Sequence, residues 1–153
     1  MLKLDKKLRE KIEHEISRIN ELFNSGKSLL DLCKLKEPDF IESSAAGSFL
    51  QSFYNGIESI ISLIFKGMGE NIPDDSHSHK KLFEKAFEHT EKRSVIFKDE
   101  YKEQLVEYLA FRHFFRHSYG SEFDWKRLKP LIKGVEKLWK KLEKDINKFI
   151  KNN

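Results

Sequence analysis

Residues 37–69 read EPDFIESSAAGSFLQSFYNGIESIISLIFKGMG, and this stretch decides the fold. Ile41, Ala45, Phe49, Phe53, Ile57, Ile60 and Ile64 recur at three- and four-residue intervals, which sets them on one face of a long helix. Glu37-Pro38-Asp39 marks its start, with proline tolerated in the first turn. Gly67 and Gly69 supply stop signals at its end. The small residues from Ser43 to Ser48 let another backbone come close, so tight helix–helix packing is expected, within one subunit or between two.

The same period governs the flanking sequence. Leu8, Ile12, Ile16, Ile19, Leu22 and Phe23 form an apolar stripe that predicts a first helix from Asp5 past Gly26, continued by Leu29, Leu30 and Cys33 and stopped by Pro38. Residues 71–76 read as a loop. A short helix follows with Leu82, Phe83, Ala86 and Phe87. A further helix starts near Asp99, turns Tyr101, Leu105, Tyr108 and Leu109 inward, and ends around Tyr119-Gly120. Ser121-Glu122-Phe123-Asp124 reads as a capping segment. The last helix carries Trp125, Leu128, Leu131, Ile132, Val135, Leu138, Trp139, Leu142, Ile146 and Phe149 on one side, and Pro130 is expected to bend its beginning. With no alternating strand pattern and no internal repeat, the fold class is all-α: an antiparallel up-down bundle of four long helices and one short one. The 153 residues suit one domain spanning 1–153.

Composition agrees with that class. Charged residues make up 35% of the chain and hydrophobic ones 39%, as amphipathic helices with solvated outer faces require. The net charge of +4 is unevenly spread: residues 126–153 hold ten Lys/Arg against three Asp/Glu, a balance of +7. A basic C-terminal helix can attract RNA phosphates, although single lysines more often just solvate an outer face. The lone Cys33 rules out an internal disulfide and a cysteine-based zinc site, and its place on the first stripe marks a small core residue. His77-Ser78-His79 beside Asp74 and Asp75 has ligand residue types, but a polar loop gives them no fixed frame. No metal and no cofactor is therefore assigned. The charged start after Met1 is not a signal peptide, and the apolar runs are too short to span a bilayer. A cytoplasmic location with no membrane association is the expectation.

Chemistry concentrates in Arg112-His113-Phe114-Phe115-Arg116-His117-Ser118-Tyr119-Gly120. Arginine offers a permanent planar fork for phosphate, and histidine exchanges protons near neutrality. Together they suffice for RNA cleavage without a metal. The 2′-hydroxyl attacks the adjacent phosphorus and leaves a 2′,3′-cyclic phosphate and a 5′-hydroxyl, while arginine stabilises the developing charge. Helical geometry separates Arg112 and His117 by about 140° in azimuth. The pair therefore converges best where the helix loosens or where a second subunit completes the site.

Arg112-x-x-x-x-His117-x-Tyr119 resembles the R-x-x-x-x-H-x-Y signature of HEPN-domain toxins of the HepT type. Residues 44–58, SAAGSFLQSFYNGIE, resemble the second helix of that family. Residues 108–120, with Phe123-Asp124-Trp125 after them, resemble its motif helix and following turn. The resemblance implies a HEPN-like helical fold, a homodimer whose motifs meet in one cleft, and a metal-independent endoribonuclease acting on single-stranded or tRNA-like RNA. It also implies an MNT-type nucleotidyltransferase antitoxin as partner, able to place AMP on Tyr119. By position, Arg112 and His117 are the catalytic pair. Many such motifs carry Asn after the arginine; His113 here leaves two histidines that can carry the proton. His113 and Arg116 are supporting candidates. So are Tyr54, Asn55 and Glu58, with Glu58 placed to orient Arg112 or Arg116, although interhelical hydrogen bonds would explain the same three. The alternative is a non-catalytic HEPN module that binds nucleotide or docks a nucleotidyltransferase. Toxicity on expression without the partner separates the two.

Overall fold

The computed structural model describes residues 3–72, 78–117 and 124–153. Among these the order is α1 (Lys6–Leu35), α2 (Phe40–Gly67), α3 (Ser78–Lys85), a single 3₁₀ turn at Asp99–Tyr101, α4 (Lys102–His117) and α5 (Trp125–Asn152), with no strand. The expected all-α bundle is what forms.

Three of the four long helices, α1, α2 and α5, start where a side chain satisfies orphan amides. Asp5 accepts from the Leu8 amide at 2.7 Å and Asp124 from the Lys126 amide at 3.1 Å. At α2, Asp39 accepts from the Glu42 amide at 2.8 Å while the Glu42 carboxylate accepts from the Asp39 amide at 3.0 Å. This reciprocal pair is a capping box. Pro38 accordingly lies before the cap rather than in the first turn. Two other boundaries shift: Ala86 and Phe87 fall just past α3, and a 3₁₀ turn precedes α4. The end expected at Tyr119-Gly120 lies outside the described residues, as does residues 121–123 of the expected capping segment.

Helices α1 and α2 run antiparallel and very close. A Cβ on Gly26 would sit 2.6 Å from the Phe49 ring, and one on Gly56 would sit 2.8 Å from Ile19. The absent side chains on each helix thus make room for bulk on the other. Tyr108 donates to the Leu131 carbonyl at 2.7 Å, and Arg127 stacks over Phe114 at 4.0 Å, so α4 and α5 also run antiparallel. Chain ends close the set: the Leu4 amide donates to the Asn153 carbonyl at 2.7 Å, which brings the start of α1 to the end of α5.

The core centres on a ring cluster drawn from all four long helices. Phe23 meets Phe49 and Phe53 edge-on at 5.1 and 5.8 Å and stacks on Trp139 at 6.5 Å; Phe53 in turn meets Tyr108 at 5.8 Å. Such pairs add about 0.5–1.5 kcal/mol each beyond the area they bury. The α2 stripe is buried from Phe49 to Ile64, but its first two members are not: Ile41 is 76% exposed and Ala45 is exposed. In those two turns Ser43, Ala46 and Gly47 face inward instead. Cys33 is buried as its stripe position requires.

The segment after α3 is tied to the end of α2 by Arg93, which is fully buried. Its Nε donates to Glu70 at 2.6 Å, Nη1 to the Glu88 and Ser94 carbonyls at 2.9 and 3.1 Å, and Nη2 to the Lys85 carbonyl at 2.8 Å. Its guanidinium also lies over Phe65 at 4.7 Å. Buried Asp145 on α5 accepts from Tyr101 Oη and from the Lys98 amide. These two polar anchors fix where α3 and the start of α4 sit, and through them the site described next.

Candidate functional site

Tyr108 is the last firmly anchored polar residue of α4. One turn beyond it, Arg112 is half-buried, whereas His113, Arg116 and His117 are exposed. The Arg112 Nε donates to Asn55 Oδ1 on α2 at 3.3 Å, and no other hydrogen bond of this guanidinium is found among the described residues. Nε is the atom engaged, so neither terminal nitrogen is committed to another of the described residues. The rings of His113 and His117, one turn apart, lie 4.6 Å apart centroid to centroid, as their shared azimuth requires. Arg112 therefore faces α2, while the histidine pair occupies the neighbouring face.

Asn55, Tyr54 and Glu58 all sit beneath this end of α4. Tyr54 is buried beside Glu58. Burial is the main cause that pushes its phenol well above the usual tyrosine range; the Glu58 charge adds to the rise and the Arg112 charge opposes it. That opposition places Arg112 within electrostatic reach of the Tyr54–Glu58 pair. Glu58, expected to orient Arg112 or Arg116, takes a different partner. His79 Nδ1 lies 2.9 Å from both of its carboxylate oxygens. The physical reason is the path of the chain after α2, which brings α3 back beside Glu58.

Arg112 and His113 line a groove of about 430 Å³ together with His79, Lys80, Leu109, Ala110 and Arg127. Three permanent cations and two imidazoles converge there, and a concave cationic wall of this kind concentrates phosphate esters. His79, Lys80 and Arg127 are members that the sequence reading did not assign to the site. Arg127 carries a visible signal in the sequence, as one of the first cations of the basic helix; His79 carries only that of a loop ligand. His77, Asp74 and Asp75 of that loop lie outside the described residues, and no cluster of three or more metal-ligand residues is found among the described ones. Tyr119 also lies outside the described residues. No helix among the described residues is long and apolar enough to cross a membrane.

A family model described as HepT-like protein matches residues 45–153. That span includes the Tyr54–Glu58 turn, α3, the whole of α4 and α5. Comparisons with curated proteins and with solved structures found no match.

Proposed function

The chain belongs to the HepT-like family of HEPN proteins, and from that membership we propose that it is a single-domain endoribonuclease toxin, dimeric and cytoplasmic, with Arg112 and His117 as its catalytic pair. The observation that carries this reading is the Arg112 guanidinium, held through Nε by Asn55 at a cationic groove, with its terminal nitrogens uncommitted among the described residues. In the reaction the 2′-oxygen of RNA forms a bond to the adjacent phosphorus and the bond from phosphorus to the 5′-oxygen breaks. One imidazole removes the 2′-hydroxyl proton and another delivers a proton to the departing 5′-oxygen. Arg112 neutralises charge growing on the non-bridging oxygens. Two proton carriers are needed, and a homodimer supplies a His117 from each subunit. His113, whose ring lies 4.6 Å from that of His117, is the supporting imidazole within each subunit. No cofactor enters the scheme. The partner is an MNT-type nucleotidyltransferase antitoxin that silences the site by transferring AMP from ATP to the Tyr119 hydroxyl, which gives up its proton as pyrophosphate leaves.

The test is cleavage of single-stranded RNA and of tRNA by purified protein in EDTA. Wild type should give cyclic-phosphate ends, and His117→Ala should lose roughly 10²- to 10⁴-fold in rate, the range of lost acid–base catalysis. Arg112→Ala should fall comparably. Wild type and both variants behaving alike would sink the catalytic reading and leave a binding module. Intact mass after coexpression with the partner, rising by AMP and mapping to Tyr119, tests the silencing step.

A further inference from the structure

The outer face of α5 carries one sign of charge only. Every exposed charged residue of this helix is a lysine or arginine; Glu136 and Glu143 are half-buried and Asp145 is buried. From Lys126 to Lys151 a lysine recurs every three or four residues, Lys133, Lys137, Lys140, Lys144 and Lys148 among them. That spacing keeps them within a single stripe about 37 Å long at 1.5 Å per residue. No ion pair engages any α5 cation among the described residues. Simple solvation of an outer face does not produce such a pattern in this protein. Helix α1 is of similar length, yet its exposed face mixes Lys6, Lys11 and Arg18 with Glu10, Glu13 and Glu21.

The stripe also leads somewhere. Arg127, near its first turn, is a wall of the Arg112 groove and is held there over the Phe114 ring at 4.0 Å. Arg127 follows Lys126, the first lysine of the stripe, so one end of the stripe lies beside the groove. Protein-binding surfaces are depleted in lysine and enriched in aromatic residues at their centres, and this face has neither an aromatic nor an apolar centre. A ladder of point charges without base-reading groups fits a sugar–phosphate backbone.

We propose that the α5 lysine face is an RNA backbone track, which holds the strand flanking the scissile phosphate and delivers it to the groove. The proposal rests on the RNA-cleavage reading for its direction but not for its binding chemistry. Two variants with equal loss of charge test it. In one, Lys137, Lys140, Lys144 and Lys148 are changed to Gln; in the other, Lys6, Lys7, Lys11 and Lys27 of α1 are changed to Gln. The probe is a long single-stranded RNA carrying 2′-O-methyl groups throughout, which blocks the attacking hydroxyl.

The slope of log Kd against log salt should fall by about 3 for the α5 variant, four contacts at about 0.7 each. It should change little for the α1 variant. Cleavage of a short oligoribonucleotide that reaches only the groove should be the same in the α5 variant and wild type, while KM for long RNA rises. Equal effects of the two variants, or an unchanged slope, would overturn the track. Polyglutamate bound with the same α5 dependence while RNA is not would overturn it in favour of an acidic protein. Lysine-dependent binding without any cleavage by wild type would uphold the track and sink the catalytic reading instead.

Discussion

Asn55 on α2 accepts a hydrogen bond from Arg112 Nε on α4 at 3.3 Å, across 57 positions of sequence. Asn55 is exposed and contributes nothing to the core, so its amide acts on the arginine rather than on the fold. Asn55→Ala is expected to slow RNA cleavage roughly fivefold, the effect of about 1 kcal/mol for one hydrogen bond. Asn55→Asp keeps an acceptor in place and should recover most of the rate. The check is kcat for both variants beside an unchanged thermal midpoint. An Asn55→Ala enzyme as fast as wild type would show that Arg112 needs no positioning.

Arg93 predicts a large structural effect far from the groove. It is fully buried, and removing it would strand the Glu70 carboxylate and three carbonyls. Breaking a buried pair from one side costs about 3–5 kcal/mol. Arg93→Met should therefore lower stability by about that amount in urea unfolding, whereas Arg93→Met combined with Glu70→Gln should lower it less. A single variant within about 1 kcal/mol of wild type would contradict the burial.

Tyr54 and Tyr108 predict the alkaline limit of the fold. Burial is the leading cause that pushes both phenols above their ordinary value of 10.0; Glu58 adds to it at Tyr54 and Glu107 at Tyr108. The unfolded chain then loses these protons first, so stability is intact below pH 10 and declines as pH rises through and beyond it. Each tyrosine contributes about 1.4 kcal/mol per pH unit to the decline. Tyr108→Phe should cost about 1 kcal/mol at pH 7 through the lost bond to Leu131, yet decline less steeply above pH 10. Unfolding free energies measured across that range would read both effects, and parallel curves for variant and wild type would refute the assignment.

Much of the fold was legible because apolar period alone specifies it. The Phe49–Ile64 stripe, the Asp5 and Asp124 starts and the inward Tyr108 all sit where their spacing put them. Ile41 and Ala45 did not, because the azimuth that turns inward at a helix end depends on the neighbour, and here the small face at Ser43, Ala46 and Gly47 is the one covered. The site divides in the same way. Arg112 and the histidine pair are local in sequence, so one helical period relates them. The Glu58–His79 contact is not local: it depends on how the chain returns after α2, which no spacing encodes. Arg93 likewise gave no signal, since a lone arginine in a polar stretch looks solvated until Glu70 and three carbonyls close round it.

Along α4 the last buried side chain is Phe111, and the first cation that lines the groove, Arg112, follows it directly. Burial and charge are thereby sorted along one helix, the motif's cations and imidazoles all lying beyond a boundary at Phe111. Substitutions at Arg112, His113, Arg116 or His117 fall on the far side of that boundary and leave the ring cluster untouched. A lineage carrying this fold can therefore exchange the residues of the candidate site one at a time, with every intermediate folded.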